Sequence, residues 1–99
     1  MRSPEGWEKI EIKQYLNALP GCWYFSPSMT GYGKGGIPDL VGCYKSRFFS
    51  IEVKREDRIP TKLQNQRMWE IGQAGGKVFW GTSSKVIKEF EWWRNSFTI

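Results

Sequence analysis

Hydrophobic positions near the start of the chain recur at helical spacing. Trp7, Ile10, Ile12, Tyr15, Leu16 and Leu19 follow the 3.6-residue period. Ser3-Pro4-Glu5 ahead of them reads as a helix start, with Ser as N-cap, Pro at the first helical position and an acid next. Pro20-Gly21 ends the helix. Cys22 to Phe25 is a short aromatic run that predicts a strand. Gly31, Gly33, Gly35 and Gly36 make the following stretch a loop. Residues 39–44 and 48–54 are two more strand candidates around a polar turn at Lys45-Ser46-Arg47. In the second, Phe49, Ile51 and Val53 alternate with Ser50, Glu52 and Lys54, the period of a strand. A charged turn leads to a second helix, opened by Thr61, carried through Leu63, Met68 and Ile71, and stopped at Gly75-Gly76. A strand over residues 77–81 and a helix capped by Ser83 or Ser84, running to about Trp93, complete the pattern. The order α-β-β-β-α-β-α predicts one α/β domain over residues 1–99, a mixed sheet with helices on both faces.

Composition narrows the function. The chain has 15 Lys and Arg against 10 Asp and Glu, a net charge of +5 that suits a polyanionic partner. His is absent, which excludes Cys/His zinc sites, Ser-His or Cys-His nucleophile pairs and His-based nuclease centres. The only cysteines, Cys22 and Cys43, form no Cys-x-x-Cys pair and read as buried apolar residues of a reduced protein. No apolar run approaches the roughly 20 residues of a membrane span, and no signal-peptide core is present, so a cytoplasmic protein is expected. Aromatic residues make up 16 % of the chain, enough for a core in a domain this small. A short chain also leans toward a second copy of itself for stability.

The candidate chemistry sits on the central strands. Glu52 and Lys54 lie two apart, so their side chains share a face. If the turn is a two-residue loop at Lys45-Ser46, Tyr44 pairs with Arg47 and Asp39 falls opposite Glu52. Directly opposed residues have Cβ atoms about 4.5–5.5 Å apart, close enough for two carboxylates to share a Mg²⁺ ion. One more residue in the loop would put Asp39 opposite Val53, on the wrong face. An isolated Glu-x-Lys is ordinarily a solvated ion pair; its company here, Pro38 forcing an extended Gly-Ile-Pro-Asp segment, is what distinguishes it.

Gly36-Ile37-Pro38-Asp39 followed by Phe48-Phe49-Ser50-Ile51-Glu52-Val53-Lys54 resembles the PD-(D/E)XK nuclease signature. The chain most resembles the virus-type replication-repair nuclease (VRR-NUC) domain, often found as small stand-alone phage proteins, with the likeness running from Pro4-Glu5-Gly6 to about Trp80. The resemblance implies a restriction-endonuclease-like core and hydrolysis of DNA phosphodiester bonds with Mg²⁺ or Mn²⁺, in recombination or repair. It implies selectivity for branched DNA such as four-way junctions, and a homodimer. It also implies that Asp39 and Glu52 bind metal, with Glu5 and the Val53 backbone carbonyl as further ligands, and that Lys54 is catalytic. Gln64 matches the glutamine of the family's second helix.

The remaining candidates carry ordinary readings beside functional ones. Glu5 sits where the helix dipole favours an acid, and Glu8, one turn on, can substitute for it. Thr61-Lys62-Leu63-Gln64 is a capping-box pattern, which competes with an active-site role for Gln64. Gly31-Tyr32-Gly33-Lys34-Gly35-Gly36 has the Gly-x-Gly-x-x-Gly spacing of a dinucleotide site, but it runs into Ile37-Pro38 where that motif should open a helix. Its Tyr32 and Lys34 suit either a plain connecting loop or contact with a DNA backbone. Arg55, Arg58 and Lys62 suit phosphate contact within a basic middle third, also holding Lys45, Arg47 and Arg67, that reads mostly as a solvated face. Trp92-Trp93, with Phe90 and Phe97, suit core or a subunit interface better than base stacking. The reading from another class is a nucleic-acid-binding module that keeps the fold without the chemistry.

Overall fold

The computed structural model describes residues 4–28 and 34–97. The chain forms α1 (Pro4–Asn17), β1 (Cys22–Phe25), β2 (Leu40–Tyr44), β3 (Arg47–Val53), α2 (Lys62–Gln73), β4 (Lys77–Gly81) and α3 (Ser83–Ser96), the predicted order. The strands make one sheet in the order β1-β2-β3-β4, antiparallel except for the parallel β3–β4 pair. That last pairing needs a crossover, which α2 supplies.

The hairpin between β2 and β3 turns on Lys45 and Ser46, both left-handed at φ 46° and 69°. Two residues of that conformation match the twist of the flanking strands. Tyr44 therefore pairs with Arg47, and Leu40 with Ile51. One step further along the same register sets Asp39 against Glu52. Gly42 is required on the other side of β2, because a Cβ there would lie 2.2 Å from the Trp23 carbonyl oxygen of β1.

β3 is buried on both faces from Phe49 to Val53. Phe49, Ile51 and Val53 join Ile12 and Leu16 of α1, Phe79 of β4, and Val86 and Phe90 of α3 in one core cluster. On the other face Ser50 and Glu52 are buried, and Met68 of α2 is buried apart from that cluster. Cover on this second face is concentrated over β3 and β4; Trp23 and Phe25 of β1 are 67 % and 49 % exposed.

The ends of the helices show how side chains tie the layers together. Thr61 caps α2 with the full reciprocal box. The cap of α3 is Thr82, one residue before the expected serines, and the helix runs on to Ser96. Ser83 is inside the helix for a reason: its amide donates to Glu8 and its hydroxyl donates to Glu11 at 3.2 Å, both from α1. The expected Ser3 cap of α1 and the loop residue Tyr32 lie outside the described residues. Cys22 is half-buried against the core, but Cys43 is exposed, not buried as expected, because it shares a face of β2 with the uncovered Trp23 side. Among the described residues no helix is long and apolar enough to cross a membrane.

Candidate active site

The end of β3 brings the sequence candidates together. Asp39, just ahead of β2, accepts the Val53 amide on its Oδ2 at 2.8 Å. This bond fixes the carboxylate beside the neighbouring residue of β3, Glu52. Glu52 is 3 % exposed, and its Oε1 has no hydrogen-bond partner. Burial, above all, pushes the Glu52 carboxyl up to about 9; the hydrogen bond and charge of Asp39 add to this, and Glu5 adds a little more. The Lys54 ammonium acts in the opposite direction. The Glu52 carboxyl thus feels charges from α1, the β2 entrance and the residue just after β3. A divalent cation between the two acids would relieve their mutual repulsion.

Beside this pair opens a cleft of about 280 Å³ lined by Glu5, Lys54, Arg55, Arg58, Ile59 and Thr61. The two ambiguous positions on the helices differ in their contacts here. Glu8 is engaged at the N-terminus of α3, where a carboxylate is favoured, while Glu5 faces the cleft. Gln64 is the capping glutamine: its Oε1 accepts the Thr61 amide at 2.9 Å and its own amide donates to Thr61 Oγ1 at 3.1 Å. Its active-site role would have to use the side-chain nitrogen.

One residue absent from the sequence-based candidates enters the site. Lys9 of α1 places its Nζ 3.4 Å from Asp39 Oδ1. The available signal was its spacing, four residues after Glu5, which puts both on one face of the helix. The basic candidates divide. Arg55 and Arg58 line the cleft, although Arg55 also pairs with Asp57 at 2.7 Å. Lys62 begins α2, next to the cleft-lining Thr61. Lys34 is exposed and near Glu70, whose carboxyl is held below its ordinary value by hydrogen bonds from Gln66 and Arg67, with the charges of Arg67 and Lys34 assisting. Arg67 donates to the Gly35 carbonyl at 2.9 Å and Arg47 lies over the Phe97 ring at 3.7 Å, so both serve the fold.

The residues fit a divalent cation in part. Among the described residues no group of three or more His, Cys, Asp or Glu side chains is set to hold a metal ion. The Asp39–Glu52 pair is nevertheless sufficient for Mg²⁺, which commonly takes one or two carboxylates and keeps several waters. The unpartnered Glu52 oxygen is the specific observation in favour. Neither models of protein families, nor curated proteins, nor solved structures match the chain.

Proposed function

We propose that this protein is a divalent-metal-dependent nuclease that hydrolyses phosphodiester bonds in DNA. The observation that carries the reading is the buried Glu52 carboxyl, one oxygen unpartnered, beside Asp39 and two residues from Lys54. Asp39 and Glu52 would hold Mg²⁺ or Mn²⁺, with Glu5 and the Val53 carbonyl as further ligands, and the ion would polarise the phosphodiester and acidify a water. Lys54, on the Glu52 face, would stabilise the charge that develops on the phosphate. Arg55 and Arg58 in the cleft, with Lys62 beside it, supply cations for the flanking phosphates. Lys34, and Tyr32, which lies outside the described residues, would contact the DNA backbone.

Branched DNA as substrate, and action as a homodimer, rest on the resemblance to VRR-NUC nucleases. The exposed Trp23 and Phe25 are consistent with a surface that a partner covers. The unpaired thiols suit a reducing compartment, and we place the protein in the cytoplasm of a bacterium or a phage-infected cell.

The deciding experiment compares four-way junction, flap, duplex and single-stranded DNA at equal concentration with Mg²⁺. Junction cleavage at paired symmetric positions, abolished by EDTA and reduced about a thousandfold in Asp39→Ala, is the expected result. Wild-type rates from Asp39→Ala would sink the reading. The alternative, a binding module without chemistry, draws on the Lys9–Asp39 pair, in which a protein cation already neutralises the carboxylate. It predicts DNA binding that EDTA leaves unchanged and no cleavage of any substrate.

The two acids of α1 give a second test. Glu5→Gln is expected to slow cleavage while leaving the melting temperature nearly unchanged. Glu8→Gln should slow cleavage less than Glu5→Gln and lower stability by about 1 kcal/mol, because it weakens the charged contact at the start of α3. Equal effects of both substitutions on rate would remove Glu5 from the site.

A further inference from the structure

A second opening among the described residues is larger than the acidic cleft. A groove of about 580 Å³ runs between β4 and α3, lined by Lys77, Lys85, Lys88, Glu89 and Trp92. β4 is an outer strand of the sheet and has a free edge. The four α3 residues recur at spacings of three and four, which makes them one stripe of the helix, about 10 Å long. Trp92 is 72 % exposed at one end of that stripe, whereas its neighbour Trp93 packs into the core. Glu89, the one acid, is already paired with Lys85 at 3.3 Å. The lining therefore offers two lysines beyond that ion pair, and a large aromatic face open to water.

A free strand edge can recruit a peptide by strand addition. Lys85 obstructs this edge at Trp80. Gly81 turns its carbonyl to the Lys54 amide at 2.8 Å, so that of Trp80, one residue earlier, points away from β3. Lys85 Nζ donates to that outward carbonyl at 2.6 Å and lies 4.3 Å from the centre of the Trp80 ring. A lysine wrapped around a strand edge is a device against pairing. What remains is positive charge beside a stacking surface, the combination that binds single strands without sequence preference.

We propose that the β4–α3 groove binds single-stranded nucleic acid, with Trp92 stacked on a base and Lys77 and Lys88 holding the adjacent phosphates. This site is separate from the acidic cleft and does not depend on the nuclease reading. In a DNA substrate with an unpaired arm, it would hold that arm while the cleft engages another segment.

The test is fluorescence anisotropy of labelled oligothymidylate with the full chain in EDTA, so that binding is measured without cleavage. Trp92→Ala is expected to weaken binding about tenfold, the order of one lost base stack. Lys77→Ala/Lys88→Ala is expected to weaken it as well and to lower the salt slope by about 1.4, two lysines at roughly 0.7 each on a single strand. Lys13→Ala/Lys45→Ala removes the same charge elsewhere and should change affinity less than about twofold. All five positions are on or near the surface, and circular dichroism of each variant checks that it is folded. Equal losses in the two double variants, or wild-type affinity in folded Trp92→Ala, overturn the proposal. So does poly-glutamate that competes as well as oligothymidylate, since that would make the ligand an acidic protein. If wild type cleaves no DNA but these binding differences hold, the nuclease reading fails and the groove stands.

Discussion

Replacing Glu52 by glutamine is expected to lower cleavage by about a thousandfold and, in EDTA, to make the protein more stable. The two effects have one origin. In the unfolded chain this carboxyl ionises near 4.5, whereas in the folded protein burial and the neighbouring Asp39 keep it protonated up to about 9. Between those values the folded state binds one proton more than the unfolded state, so stability falls as pH rises. The loss begins above the unfolded value and is complete near the folded one. At pH 7 it amounts to roughly 3–4 kcal/mol, from about 1.4 kcal/mol per unit over the interval already crossed. Glutamine keeps the shape and never ionises, so the loss disappears. For a domain of this size the difference corresponds to a melting temperature higher by on the order of 10 °C. Melting curves in EDTA at pH 5, 7 and 9 should show the gap between Glu52→Gln and wild type widening with pH. Added Mg²⁺ should narrow it, because a ligand that binds only the folded wild type stabilises it. A gap independent of pH would contradict the buried, unpartnered carboxyl as the source.

The parts of the fold legible in the chain were those set by local chemistry. The alternation through Phe49, Ile51 and Val53 and the Gly75-Gly76 stop need no tertiary information, and the strands at β1 and β4 fall where the residue types place them. Even the face shared by Asp39 and Glu52 could be derived, because a two-residue turn leaves one register in which they meet. What the chain could not disclose was which of several equivalent side chains tertiary packing would engage. Glu5 and Glu8 are interchangeable by helix position; only the arrival of α3 at Ser83 claims Glu8. Thr82, Ser83 and Ser84 are all competent caps, and the choice of Thr82 follows from the same contact, which draws Ser83 into the helix. Lys9 becomes part of the site through a contact 30 residues away in sequence, with Asp39. Trp92 and Trp93 differ only in which side of α3 meets the sheet, and that difference separates core from groove.

That division within α3 also sets the largest stability effect. Phe90→Ala is expected to destabilise the protein by about 3–5 kcal/mol, the cost of emptying a closed aromatic site. Phe90 is fully buried, and the rings of Tyr15, Tyr44, Phe49, Phe79 and Trp93 all have centroids 5.0–5.9 Å from its own. These rings come from α1, β2, β3, β4 and α3, so no single element can move in to fill the space. Small domains have only about 5–15 kcal/mol in total, which leaves the variant marginal at physiological temperature. Urea titration followed by circular dichroism should place its midpoint far below that of wild type. Phe90→Leu, which retains most of the apolar volume, should fall between the two. Trp92→Ala, two residues along the same helix but exposed, should lie within about 0.5 kcal/mol of wild type. The effect should reach the cleft as well. α3 holds α1 through Ser83, Glu8 and Glu11, and α1 carries Glu5 and Lys9. Cleavage by Phe90→Ala should therefore fall more than its remaining folded fraction accounts for, whereas Phe90→Leu should lose rate only in proportion to that fraction. Proportional loss in both would show that α3 supports the fold without positioning the acids of α1.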